Sequence, residues 1–335
     1  MKEQIIDRFP GISCAWVDTG GKESAECNGF ADKENHIPAD EGTIFPACSI
    51  SKFITAICIM KLHEQKLLDI DMPANQYLQQ WKLLAVDGTE SDASVRSIMC
   101  HTAGILDGED AFYGLRRGDP EISLMDILEG RTSYNNRPVR AEKPQGTAFE
   151  YSDAGYCVLQ LLVEDVTHKA FEDSVRDTLF DPLGLCSTFF ASSGNTSRFE
   201  NRMATGYDDN GLPIPGRFPR VPDLAASGLW STPKELLTIA DGFIKAFNGE
   251  NSFLQPESAR ELARPVKNFP WTGLGVFTGG EDILVSQGWG ENGQCMMKMN
   301  SRTGEIAAVM TNRNPGVDQA ESGVEWLANS RLNVR

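Results

Sequence analysis

The polar–apolar pattern changes period along the chain. Between residues 11 and 31 it runs in short strand-like stretches: ISCAWVD, a TGGKE turn, then SAECNGFAD. This predicts a β-hairpin. From Ser49 to about Lys66 the apolar positions Phe53, Ile57, Met60 and Leu67 recur at helical spacing, which predicts a long helix. Helical and loop segments continue to about residue 190. Within them DAGYCVLQLLVEDV (153–166) is the strongest helix, set behind a Ser-Asp pair suited to N-capping. FEDSVRDTLFDPLGL reads as another, ended by Pro182 and Gly184. Residues 191–222, rich in Gly, Pro, Asn and Asp, read as long loops. STPKELLTIADGFIKAF (231–247) is a helix with Ser231 and Thr232 as caps, Pro233 in its first turn and Glu235 completing a capping box. Short strands follow at 273–278, 282–287, 294–300 and 305–311, with turns at GG, GEN and RTG. A last helix is expected from about Asp318 to Ala328. There is no internal repeat and no low-complexity tract.

Strands thus cluster at both ends and helices fill the middle. The expected class is α/β of the α+β type: an antiparallel sheet flanked by helices and built from both chain ends, with a mostly helical region inserted. The expected boundaries are 1–62 with 223–335 for the sheet domain and 63–222 for the insert. The chain has 335 residues, 41% hydrophobic and 23% charged, a globular composition with material for a core. The formal net charge of −16 repels phosphate backbones, so nucleic acid is not an expected partner. No stretch reaches the ~18 apolar residues of a membrane helix, so no membrane partner is expected. The start, MKEQIIDRFPGISCAWVD, lacks the apolar core and cleavage site of a signal peptide, and a cytoplasmic location is expected unless a leader has been removed. The eight cysteines lack CxxC spacing and mostly sit in apolar runs, which reads as free thiols in a reducing compartment. The four histidines form no HExxH or Cys/His set; neither a metal nor another cofactor is expected.

Candidate chemistry begins in FPACSISKFITAICIMKL (45–62). Ser49 and Lys52 lie three apart, on one face of the predicted helix. Ser49 sits where free N–H groups and the helix dipole favour negative charge. A serine hydroxyl is a poor nucleophile until its proton is taken, and a desolvated lysine can do that. A capping serine and a solvated lysine would give the same spacing. FEYSDAGY adds Tyr151 and Asp153 just before the strongest helix. A tyrosine near an ammonium can shuttle protons. VSQGWGENG (285–293) is a glycine-rich turn between strands, where an N–H can join that of Ser49 in an oxyanion hole.

The order S-x-x-K, then a Y-x-N-like element, then a K/H-x-G-like strand resembles the serine β-lactamase and penicillin-binding protein superfamily. The likeness is to the branch with class C β-lactamases, D-aminopeptidases and related esterases. SIMCHTAGI, QGTAFEYSDAGYCVLQLLVEDVT, DPLGL, ASGLWSTPKEL and GLGVF match in order, over about residues 10 to 330. The resemblance implies that fold. It implies Ser49 as the acylated nucleophile, Lys52 as general base or tuning charge, and Tyr151 as proton carrier to the leaving group. Gln287 takes the place of the third motif's Lys or His. Gly290 or Trp289 would supply the second oxyanion N–H. Two departures stand out. Asp153 replaces Asn and places an acid near the lysine, and Gln287 and Trp289 replace a cation and a glycine. A missing cation weakens recognition of a substrate carboxylate, against penicillin-like or D-Ala-D-Ala substrates. The expectation is therefore a serine hydrolase forming an acyl-enzyme on a small ester, amide or short peptide, as an esterase or a D-amino-acid amidase or peptidase does. The alternatives are a β-lactamase or DD-peptidase, and a catalytically inactive relative that binds a ligand. Oligomeric state is left open. His101 is expected to be structural, Trp230 and Trp271 to be core, and Trp289 to line a pocket. Trp81, Tyr113 and Cys48 receive no role.

Overall fold

The computed structural model describes residues 2–332. Its first helix, α1 (Lys2–Ile6), leads into strands β1 (Gly11–Val17), β2 (Glu23–Asp32) and β3 (Ile37–Pro38), then β4 (Phe45–Cys48) and helix α2 (Ile50–Glu64). Helix α3 (Asp153–Thr167) follows the long middle region. Strand β5 (Leu229–Ser231) and helix α4 (Pro233–Phe247) lead into β6 (Phe277–Thr278), β7 (Ile283–Gly290), β8 (Gly293–Asn300) and β9 (Ile306–Thr311). Helices α5 (Gln319–Ser322) and α6 (Val324–Asn329) close the described chain.

The main sheet has seven strands in the order β3-β2-β1-β9-β8-β7-β6. Its pairings are antiparallel; β1 meets β9 with Ile12 opposite Thr311 and Trp16 opposite Ala307, which joins the two chain ends in one sheet. Strand alternation sorts side chains to two faces. Cys295, Met297 and Met299 join the large core that also holds Phe53, Ile57, Phe243 and the middle helices. Met296, Ile12, Cys14 and Val309 face Ile5, Val324 and Leu327 of the terminal helices. Between the two ends, residues 65–222 supply helices, loops, one parallel pair, Leu84–Ala85 with Arg140–Ala141, and the short strand Phe189–Phe190, which pairs with β5. β4 pairs with β5 rather than with the main sheet, and this small sheet carries the chain into α2.

Several local expectations shift. Only Phe277–Thr278 of the 273–278 stretch pairs as a strand. The 171–184 helix changes to a wider π turn over Arg176–Phe180. The final helix breaks at Gly323, whose φ of +93 is left-handed and whose site is filled by Ile5. Thr232 does cap α4, its Oγ1 accepting from Glu235 N at 3.2 Å. The Glu235 carboxylate does not complete the box. It accepts instead from Cys186 N at 2.9 Å and Thr188 Oγ1 at 2.6 Å, tying α4 to the inserted region. Trp230 is 4% exposed, but Trp271 is 48% exposed and is not a core residue. No helix among the described residues is long and apolar enough to cross a membrane.

Candidate active site

The strand-to-helix junction between β4 and α2 is the base of the site. Cys48 adopts a left-handed φ of +47, uncommon for a residue with a side chain, and turns the chain sharply into α2. Ser51 Oγ donates to Cys48 O at 2.6 Å and accepts from Leu229 N at 2.9 Å, which ties the turn to β5. Strand β7 packs on its other side. A Cβ at Gly288 would stand 2.5 Å from Ala47 O and 2.8 Å from Cys48 Cβ, so only glycine fits that approach. Gly290 is held as closely against Cys48 Sγ. Ser49 itself is half-buried, and its hydroxyl makes no capping bond to α2.

One turn on, Lys52 is 3% exposed. Its ammonium donates to Ser49 Oγ at 3.2 Å and to Ala226 O at 3.0 Å, and lies 2.5 Å from Asp153 Oδ1. It also sits 4.8 Å from the Tyr151 ring centroid and 5.5 Å from that of Tyr156. Burial alone would lower its pKa. The Asp153 carboxylate and the Tyr151 phenol overcome that, and the net shift is upward. Lys52 is therefore an ammonium at neutral pH. The Tyr151 phenol lies beside Lys52 and Ser49 and interacts electrostatically with both. Burial of its hydroxyl raises its pKa; Lys52 pulls it down and Asp153 pushes it up, leaving it above 10.0. The ring remains 42% exposed and stacks on His101 at 4.4 Å and on Phe277 at 6.4 Å.

His101 accepts from Ser152 N at 3.1 Å through Nδ1, and burial followed by the Lys52 charge holds it well below the ordinary imidazole range. It is a neutral support for Tyr151. Around Lys52 and Asp153 the structure adds two acids that sequence reasoning missed. Asp107 caps α3 by accepting from Ser152 Oγ at 2.8 Å, Asp153 N at 2.8 Å and Ala154 N at 3.0 Å. Burial, then the Asp153 charge, raises its pKa. Asp223 is 1% exposed and accepts from Tyr134 Oη at 2.5 Å, while its second oxygen has no hydrogen-bond partner. Burial and then Asp153 push it up to about 8. Both acids come from loop segments without periodicity, so nothing in the pattern marked them.

Two cavities flank the nucleophile. One is lined by Cys48, Tyr113, Tyr134, Asp153, Trp289, Gly290 and Glu291 among others. Trp289 is 44% exposed, with its Nε1 donating to Asn314 Oδ1 at 2.8 Å. The other, smaller one is lined by Ser49, Lys52, Tyr151, Phe277 and Gln287. The structure thus brings Ser49, Lys52, Tyr151 and Asp153 together. It sets Gln287 on one side of them and Trp289 with Gly290 on the other. No group of three or more His, Cys, Asp or Glu able to hold a metal occurs among the described residues.

Comparison with known proteins places the chain in a family. A family model described as Beta-lactamase matches residues 2–329. The chain belongs to the β-lactamase family. It is 27% identical over 222 residues to the Unguisins hydrolase ungD' of Aspergillus campestris, covering 65% of this chain and 40% of that protein. It is 24% identical over 226 residues to the Teichoic acid D-alanine hydrolase of Staphylococcus aureus, covering 67% and 52%. The chain therefore spans about half or less of these curated relatives. The structure of D-amino acid amidase from Ochrobactrum anthropi SV3 superposes with a TM-score of 0.79 at 21% identity, over 98% of this β-lactamase-family chain and 97% of the amidase. That likeness shows the shared fold.

Proposed function

We propose that this protein is a serine hydrolase that forms an acyl-enzyme on Ser49. One observation carries the reading: a lysine 3% exposed donates to the hydroxyl one turn before it, and a phenol lies beside both in one cleft. Since Lys52 is a fixed ammonium and Tyr151 a protonated phenol, neither is a free base. Tyr151 acts as a relay. Its oxygen takes the Ser49 proton as its own proton passes to the leaving-group atom. The C–O bond to Ser49 forms, the bond to the leaving group breaks, and charge is conserved throughout. Lys52 stabilises the developing alkoxide and phenolate. Water then repeats the relay in reverse to release the acid. The N–H groups of Ser49 and Gly290 are proposed as the oxyanion hole, with Trp289 and Asp153 bounding the acyl cavity.

The substrates are proposed to be small esters or amides without an anionic group beside Gln287. The names of the hydrolase and amidase relatives support ester and amide carbonyls, D-aminoacyl ones included, as first candidates. The test is labelling by a fluorophosphonate probe together with p-nitrophenyl acetate turnover. Wild type should react and Ser49→Ala should not; equal labelling of both contradicts the proposal. Against nitrocefin the expected result is slow or no turnover, because Gln287 offers no charge to a carboxylate. Silence across ester, amide and D-peptide panels would favour an inactive, ligand-binding relative.

A further inference from the structure

The hydrolase reading leaves unexplained a group of aromatic rings that reach the surface beside Tyr151. Phe277 stacks on Tyr151. Phe149 lies 6.5 Å from Phe277 and 6.1 Å from Trp271, and Phe269 lies 5.6 Å from Trp271. Phe149, Phe269 and Phe277 are half-buried, and Trp271 is 48% exposed. The rings are held in place. Phe269 N donates to Val266 O at 2.9 Å, Thr272 N to Phe269 O at 3.1 Å, and Thr278 N to Trp271 O at 2.9 Å. An ordered apolar shelf open to water marks a place where something apolar binds.

We propose that this shelf is the leaving-group subsite and that it selects an uncharged aryl or bulky alkyl leaving group. The assignment rests on the acyl-enzyme reading of Ser49. Its direction follows from the proton path. The group that protonates the leaving atom is Tyr151, so the leaving group lies on the Tyr151 side of Ser49. That side is the smaller cleft, bordered by Phe277 and continued outward by Phe149 and Trp271. The larger cavity on the Asp153 side is left to the acyl group. The charge selection follows from the lining. Among the described residues of the cleft the one cation is Lys52, already paired with Asp153 at 2.5 Å, and His101 is neutral. Gln287 contributes an amide. A carboxylate there would lose its water without gaining a counter-charge. An aryl ring would gain edge or stacked contacts with Trp271 and Phe149.

Trp271 separates this role from support of the catalytic tyrosine. Its ring contacts are Phe149 and Phe269, while Tyr151 keeps His101 and Phe277. The experiment compares p-nitrophenyl acetate, its ring-carboxylated analogue and methyl thioacetate, in wild type, Trp271→Ala and Trp271→Phe, with a thermal melt of each variant. Wild type is expected to prefer the neutral aryl ester over the carboxylated one by about tenfold or more. Trp271→Ala should lower kcat/KM for p-nitrophenyl acetate by about tenfold through KM, change methyl thioacetate less than about twofold, and be restored by Trp271→Phe. Equal losses on the aryl ester and the thioester, or equal turnover of neutral and carboxylated esters, overturns the subsite and leaves the hydrolase reading standing. No turnover of any substrate by wild type, with Ser49 unlabelled by fluorophosphonate, removes both.

Discussion

At Lys52, burial and ion pairing pull in opposite directions, and the outcome decides the chemistry. Burial alone would lower the lysine's pKa; beside Asp153 the shift is upward and it keeps its proton. Removing either member of the relay should be costly. Lys52→Ala and Tyr151→Phe are each expected to lower kcat/KM by at least about a hundredfold, the scale of lost proton-transfer catalysis, measured by steady-state ester hydrolysis. A two- or threefold loss in both would contradict the relay. Asp153→Asn should act differently. With the carboxylate gone, burial lowers the Lys52 pKa with only Tyr151 left to oppose it. Since the ammonium is the active form, the alkaline fall of the pH–rate profile should move to lower pH than in wild type. An unmoved profile would mean that Asp153 does not set the charge. The S-x-x-K spacing permitted this pairing but did not require it, because a capping serine and a solvated lysine share the same spacing. What settles it is tertiary: Ala226 O and Asp153 arrive from segments far along the chain. The exposed Trp271 was misread for the same reason, since sequence context gave no hint that it would pack on Phe149 and Phe269 at the surface.

The elements that position the site were more legible than its lining. The hairpin, α2, α3, α4 and the terminal strands follow from the length and spacing of their apolar runs, although α2 is buried almost all round and β8 and β9 on both faces. The break at Gly323 and the rerouted Glu235 did not follow, because each answers to a partner distant in sequence. Two predictions belong at this scale. Gly288→Ala places a methyl group against Ala47 O and Cys48 Cβ, so β4 and Ser49 must shift. A displacement near 1 Å is worth about a hundredfold in rate, and the expected loss of kcat/KM should exceed what a thermal melt alone would suggest. Thr232→Ala removes the α4 cap far from the chemistry. It should cost about 1 kcal/mol of stability by denaturant titration, with kcat/KM of the folded protein unchanged.

For the whole molecule, buried acids set the pH response. The Asp223 pKa rises from 3.8 to about 8 in the native state, so between those values the native protein holds a proton that the unfolded chain releases. Stability from this group therefore declines as pH rises through that window and levels off above it. Asp223→Asn should melt higher than wild type at pH 8, with the advantage shrinking toward pH 5; an advantage that is constant or larger at pH 5 would contradict the assignment. The joining of both chain ends in one sheet was legible in the order of strands and helices. The crowding of Asp107 and Asp223 around Asp153 was not, because loops without periodicity deliver both. The central claim, a covalent acyl group on Ser49, is tested most directly by quenching the reaction with p-nitrophenyl acetate and mapping the added acetyl mass. The account predicts an acetyl group on the peptide carrying Ser49 in wild type and none in Ser49→Ala. Turnover with no adduct on that peptide, or with the adduct on another residue, would contradict it.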